Sequence, residues 1–532
     1  MTEQYSVQIL PNGRNINVKE GRTLMEALVG QSIFLRSDCG GRGTCGKCAV
    51  KITAEDGSAD TVTSCNYLVE KNISIEIPET SMLSSHVISK APVSFPDSFI
   101  KRKAAAAGED RYGIACDLGT TTIAIYLCNT VNGEILSSMA VKNPQALYGD
   151  DVMSRIGAVN QEENNLQRLQ NLVVKAIEWG IANLLKNQSL EHDRLHSITV
   201  VGNPTMMHIL AGVDPSSIGT FPYMPEFFDA ITRSSAELGF GFNDIPLQLL
   251  PQISGFIGGD ILSAALAVDF DSQPEGTLVI DLGTNGELLL KGKDKIYATS
   301  CATGPAFEGA SLSCGTQAIP GAINRVSIDT RTEFCNYSII NPKNRSSLKP
   351  FGVCGTGVIS AVAEFCRKLI IEPGGAFVKD QDITPLVADE AGKIRYLLVP
   401  EEATQDGGPV YISQKDIRSV QLGKAALITG IEFLLKAAGY EQAEKIIIAG
   451  AFGTHIEKED MLTLGMIPEI DPEKIIIAGN SAGAGAVMVL SDSAYLEKSI
   501  AMAETIETVD LATDLKFQEV FVEKLSFPFM KN

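Results

Sequence analysis

Residues 277–290 read TLVIDLGTNGELLL, an apolar run that turns sharply at Asp281, Leu282, Gly283, Thr284 and Asn285 and leaves as a second apolar run. The same device stands earlier in YGIACDLGTTTIAIYL, 112–127, with Asp117, Leu118, Gly119 and Thr120 at its turn. Each stretch predicts two strands joined through a glycine turn. Glycine there leaves room for phosphate oxygens against the backbone. Threonine hydroxyls (Thr120, Thr121, Thr122, Thr284) and N–H groups donate to them, and an aspartate at the strand end holds Mg2+ through water. Two facing copies would clamp a triphosphate from opposite sides. The P-loop string, GxxxxGK followed by Ser or Thr, is absent.

From Tyr112 onward apolar strands alternate with amphipathic helices, the pattern of an α/β fold. One helix is expected over 161–188. A second, 413–439, starts at Ser413 with Asp416 as a capping box and carries an apolar stripe of Ile417, Val420, Leu427, Ile431 and Leu434. These features resemble the actin, sugar-kinase and Hsp70 superfamily. KIIIAGAFGTHI (445–456) is similar to its adenosine motif, with Gly450, Ala451 and Gly453 at the turn. IGGDILSAALA (257–267) and GNSAGAGAVM (479–488) look like its two connecting helices, whose small residues would let them cross closely at a hinge. The resemblance makes Gln421 and Lys424 candidates for the base or ribose, with a solvated helix face as the alternative. Asp117 and Asp281 are the expected Mg2+ groups, and Asp260, Glu287 and Glu308 are candidates for the water-activating acid or further Mg2+ groups. VGNPTMMH (201–208) is a glycine turn whose sequence assigns it no role.

Before residue 79 the chemistry differs. Cys39, Cys45, Cys48 and Cys65 lie in SDCGGRGTCGKC (37–48) and just after it. Two sulfide-bridged irons need four thiolates converging from two sides, and three from a tight loop plus one from a returning strand meet that need. Gly40, Gly41, Gly43 and Gly46 let the loop bend and bring N–H groups to the sulfurs. The alternative, a zinc site, fits poorly with the five-residue glycine-rich gap between Cys39 and Cys45. SVQIL and NINVK flank a turn at 11–13, residues 23–29 read as a short helix, and AVKIT and ISIEI as further strands. The region resembles the plant and adrenodoxin type of [2Fe–2S] ferredoxin, a β-grasp sheet covered by one helix. It departs from that type in the short path from Cys48 to Cys65.

At 532 residues the chain exceeds a single core. The expected division is a [2Fe–2S] ferredoxin-like domain (1–78), a linker (79–111) of Pro, Ser and Ala character holding one short helix, and two ATPase lobes, one of 112–272 with 478–532 and the other of 273–477. The net charge of −20 falls almost wholly after residue 111, which argues against nucleic acid or an anionic membrane as partner. No apolar leader is read, and the expected location is the cytoplasm. The other cysteines are scattered and read as buried small hydrophobes, with Cys301 and Cys354 in glycine-rich turns. No flavin or nicotinamide fingerprint follows a strand, so the electron is expected from an external low-potential donor.

Taken whole, the cysteine quartet, both DLGT turns, AGAFG and GNSAGAGA resemble the reductive activators of corrinoid proteins. That resemblance implies a [2Fe–2S] cluster passing one electron to a corrinoid protein in the Co(II) state to restore Co(I), with ATP driving the step. A homodimer is left open. Readings from other classes are a small-molecule kinase with a regulatory ferredoxin domain and a redox-sensing ATP-binding switch module.

Overall fold

The computed structural model describes residues 4–11, 13–31, 33–35, 41, 43, 46–78, 81–82, 94–106, 108–242, 244–309, 311–329, 334–341, 345–378, 386–388, 392–405, 407–450, 456–511 and 514–528. The chain divides into two compact units: Met1–Lys90 with Arg102–Phe256 and Val489–Ser493, and Ala91–Lys101 with Ile257–Met488 and Ala494–Asn532.

Unit 1 opens with strands β1 (Gln4–Leu10) and β2 (Arg14–Lys19), helix α1 (Leu24–Val29), and strands β3 (Ala49–Ala54), β4 (Ala59–Thr63) and β5 (Ile73–Glu76). Alternation places Val7, Ile9, Ile16, Val18, Ile73 and Ile75 on one face, where α1 adds Leu24 and Leu28. The order is β2-β1-β5-β3-β4, with β1 and β5 parallel, as in a β-grasp sheet. Strand β4 has no counterpart in the sequence reading. Its residues are exposed or half-buried at a sheet edge, so no apolar alternation marks it. Thr23 and Glu26 cap α1 reciprocally.

In the linker, α2 (Asp97–Ala104) is the expected short helix. Arg102 pairs with Asp492 at 2.5 Å, and Lys103 Nζ donates to Thr130 O at 3.2 Å.

The rest of unit 1 is a six-stranded sheet, ordered β10-β11-β9-β6-β7-β8. Its strands are β6 (Tyr112–Leu118), β7 (Thr122–Asn129), β8 (Glu134–Lys142), β9 (Leu195–Gly202), β10 (Ile231–Ser234) and β11 (Pro246–Leu249). Helices α3 (Val152–Gln161), α4 (Asn165–Asn187) and α5 (Pro204–Ala211) belong to it. The single helix expected over 161–188 is therefore α4, starting after a break that follows α3. Its Leu169, Val173, Ile177 and Leu184 are buried.

Unit 2 repeats the plan. An antiparallel meander of β12 (Thr277–Leu282), β13 (Gly286–Lys291) and β14 (Ile296–Cys301) is joined by parallel strands further along the chain, in the order β22-β21-β12-β13-β14-β23. Two three-stranded sheets come between: β15 (Ala322–Asp329), β16 (Phe334–Ile339) and β17 (Gly352–Val353), then β18 (Leu386–Ala388), β19 (Ile394–Val399) and β20 (Val410–Ser413). Strands β21 (Lys445–Ala449), β22 (Ile475–Gly479) and β23 (Ile506–Thr508) complete the main sheet. Helices are α6 (Gly259–Ala267), α7 (Gly355–Arg367), α8 (Gln414–Ala437), α9 (Lys458–Leu464), α10 (Ser481–Ser491), α11 (Ser493–Thr505) and α12 (Phe517–Lys524).

The expected boundaries shift here. Residues 478–532, expected with 112–272, lie mostly in unit 2, where β23 pairs with β14 and Lys524 of α12 pairs with Glu432 of α8. Residues 257–272, expected with the first lobe, also fall in unit 2. The α6–α10 crossing is as close as their small residues suggested. Ser263 Oγ donates to Ala482 O at 2.6 Å, and a Cβ on Gly485 would lie 1.9 Å from Ser263 O. Among the described residues no helix is long and apolar enough to cross a membrane.

Candidate functional site

In the ferredoxin-like domain, β3 begins right after Cys48 and Cys65 follows the end of β4. Ser64 N–H donates to Cys48 O at 3.1 Å and ties the two ends together. The two sulfurs converge at 3.4 Å, both buried. Cys39 and Cys45 lie outside the described residues. The loop backbone explains its glycines. Gly41, Gly43 and Gly46 take φ of +87°, +72° and +66°, and a Cβ on Gly43 would overlap the Asn66 amide at 1.9 Å. Two converging thiols beside a left-handed glycine loop are half of the four-thiolate donor set that a [2Fe–2S] cluster takes, so the described residues fit that group.

The first glycine turn is closed by Gly119 N–H donating to Thr122 O at 3.0 Å, and a Cβ on Gly119 would sit 2.7 Å from that oxygen. Buried polar residues hold the turn from beneath. Asn143 Nδ2 donates to Gly119 O at 3.0 Å, Asn143 N–H to Thr121 O at 2.9 Å, and Arg155 Nη2 to Thr120 O at 2.6 Å. Asn203 Nδ2 donates to Thr120 Oγ1 at 2.9 Å. A hydroxyl that accepts from Asn203 keeps its own proton to give to a ligand. This supplies the missing role for VGNPTMMH: Gly202 passes so close to Leu118 O that a Cβ would stand 2.6 Å from it, and Asn203 caps α5 while reaching Thr120. His208 is structural, stacked on Phe227 at 4.3 Å with Nε2 accepting from Glu226 N–H.

The second turn is built alike but held differently. Gly283 N–H donates to Asn285 O at 2.9 Å, and Thr303 Oγ1 and Gly304 N–H both reach Thr284 O. Thr284 Oγ1 donates to Glu308 Oε2 at 2.9 Å, so its proton is committed to a carboxylate. Gly450, at φ +95°, presses on this turn: a Cβ there would lie 2.5 Å from Leu282 O and 2.7 Å from Asp281 Oδ1. Ala451 and Gly453 lie outside the described residues.

Four carboxyl groups gather beside that turn. Glu287 faces Asp281 in register across β12 and β13. Burial first, then the charges of Asp260, Asp281 and Glu308, raise its carboxyl well above the usual range. Asp260 sits in the first turn of α6 with Oδ1 accepting from Ile261 N–H. On strand β6 the place facing Asp117 is Ala124, so the second carboxyl belongs to the second turn.

Gln421 and Lys424 do not lie on a solvated helix face. Both are buried on α8, where Gln421 Nε2 donates to Leu525 O at 2.9 Å and Lys424 Nζ to Ser526 O at 2.6 Å, with Lys424 over the Phe527 ring. Cys301 and Cys354 are buried, and burial raises both thiols above their ordinary value. Sequence reading missed Asn143, Arg155 and Asn203, single polar residues distant along the chain from the turn they hold.

Comparison with known proteins finds three family models that match successive stretches of the chain. Residues 7–70 match the model of the 2Fe-2S iron-sulfur cluster binding domain, 112–273 that of the RACo middle region, and 275–532 that of the C-terminal domain of RACo, the ASKHA domain. The corrinoid activation enzyme RamQ of Eubacterium limosum is 31% identical over 425 residues, 78% of this chain and 70% of that protein. A [Co(II) methylated amine-specific corrinoid protein] reductase of Methanosarcina barkeri is 26% identical over 447 residues, 78% of this chain and 77% of the relative. A solved reductive activator for corrinoid, iron-sulfur protein superposes with a TM-score of 0.74 at 26% identity, covering 99% of each chain.

Proposed function

This chain belongs to the family of reductive activators of corrinoid proteins, and from that membership we propose that it uses ATP to drive one electron from an external low-potential donor onto a corrinoid protein, taking Co(II) to Co(I). It is an ATP-dependent iron–sulfur reductase with a [2Fe–2S] ferredoxin domain, an ATPase domain and a corrinoid protein as partner. A bound [2Fe–2S] cluster supplies a one-electron carrier. Cys48 and Cys65 would hold it, with Cys39 and Cys45 as the remaining ligands, and the positive-φ glycines would let the loop bend around it.

Nucleotide phosphates are to be bound by the turns at 119–122 and 283–285. Asp117 and Asp281 end the strands that feed them and are the residues to hold Mg2+ through water. Burial and the neighbouring acids favour the neutral form of Glu287 beside Asp281, which eases the approach of an anionic phosphate to this group of acids. Glu308 orients Thr284, and Asp260 is left as a candidate for activating water. The observation that carries this reading is the conjunction, in one chain alike end to end to a solved activator, of the converging Cys48 and Cys65 sulfurs and the Asp281 turn. ATP turnover measured with and without a Co(II) corrinoid protein tests it. Turnover that rises with the Co(II) form and ignores the Co(I) form supports the reading, and turnover accompanied by a phosphorylated small molecule overturns it.

A further inference from the structure

A polar network within unit 1 runs from the first nucleotide turn to the ferredoxin-like domain. Fully buried Asn143 donates to Gly119 O and Thr121 O, and its Oδ1 accepts from Gln145 N–H at 3.0 Å, capping a single 3-10 turn at Pro144–Leu147. Gln145, also fully buried, accepts from Arg155 Nη1 at 3.1 Å and donates to Leu169 O of α4 at 3.0 Å. The end of this turn meets the other domain. Leu147 fills the space over Gly41 of the cysteine loop, where an added Cβ would lie 2.4 Å from Leu147 Cδ2. Tyr148 Oη donates to Glu26 Oε1, the residue that closes the capping box of α1.

The geometry at the nucleotide end matters because a peptide unit is rigid. Gly119 O shares its plane with Thr120 N–H, Thr120 O with Thr121 N–H, and Thr121 O with Thr122 N–H. Asn143 and Arg155 therefore hold the same planes whose N–H groups a phosphate would draw on. At the other end, a cavity of about 260 Å3, lined by Lys19, Arg22, Glu26, Tyr148, Arg168 and Asn171 among others, lies between α1 and α4. A contact with a polar cavity inside it shifts without breaking a close-packed core.

We propose that residues 143–148 are a positioning element that transmits occupancy of the turn at 119–122 to the seat of the ferredoxin-like domain on α4. This rests on the proposed binding of nucleotide at that turn. Coupling of this kind is reciprocal, so the seat of the cluster domain also sets nucleotide affinity.

The chain holds one tryptophan, Trp179 on α4, and its ring lies 5.3 Å from Phe34 of the ferredoxin-like domain. Its emission therefore reports the seat, with or without a cluster. The full-length protein is titrated with Mg·AMPPNP while Trp179 emission is followed, and equilibrium dialysis on the same samples establishes nucleotide occupancy. The proposal expects a nucleotide-dependent change in the parent protein that falls at least twofold in both Leu147→Ala and Tyr148→Phe while nucleotide still binds. Bound nucleotide with no change in the parent, or an undiminished change in both variants, overturns the coupling and leaves the proposed function standing. Absence of nucleotide binding in the parent overturns both.

Discussion

Glu287 stands directly across from Asp281, two carboxyl groups in register on neighbouring antiparallel strands. Burial first, and then the surrounding acids, raise the Glu287 carboxyl well above its ordinary range. With its carboxyl raised in the folded state, the folded chain binds more protons than the unfolded one above the ordinary glutamate range. Stability therefore falls as pH rises from that range through the folded value. Glu287→Gln keeps the shape and removes the titration. Thermal unfolding followed from pH 5 to 8 without divalent metal should show a variant whose advantage over the parent grows with pH. An advantage constant across that range would contradict the assignment.

Lys424 has the opposite sign. Burial first, and then Lys524, pull its ammonium down to about 8. The unfolded chain thus binds more protons between about 8 and the ordinary lysine value, and stability rises with pH across that window. Lys424→Met should flatten this part of the profile in denaturant titrations, even though it forfeits the hydrogen bond to Ser526 O.

Gly450→Ala tests the second turn. The new Cβ would meet Asp281 Oδ1 and Leu282 O at a positive φ, a conformation costing about 1–2 kcal/mol for a residue with a side chain. Where that cost falls on the placement of Asp281, a steady-state assay should show ATP turnover down by about five- to thirtyfold, since about 1.4 kcal/mol is one factor of ten.

Gly485→Ala tests the helix crossing. Its Cβ would stand 1.9 Å from Ser263 O, which is backbone and cannot rotate away. Overpacking of this kind costs about 1–3 kcal/mol, measurable as a lowered denaturation midpoint.

Much of this was legible because it depends on local chemistry. Both strand–turn–strand devices, the Ser413–Asp416 capping box and the apolar stripe of α8 follow from spacing alone, and all appear in the structure. What escaped depends on distance along the chain. Nothing near Asn203 says that it will reach Thr120 Oγ1, and nothing near Asn143 that it will lie under Gly119. Gln421 and Lys424 sit on the expected helix, but the chain's last stretch returns to α8, and its carbonyls take both side chains. Strand β4 carries only Val62 as a large apolar residue, too little for an alternating pattern, and its pairing with β3 makes it a strand.

The most direct measurement is anaerobic. The reconstituted protein is mixed with titanium(III) citrate and a Co(II) corrinoid protein, and Co(I) absorbance is followed with and without Mg·ATP. The account predicts Co(I) that requires Mg·ATP and is lost in Cys48→Ala and in Asp281→Asn. Continued ATP consumption with no Co(I), or Co(I) formed equally without ATP, would contradict it.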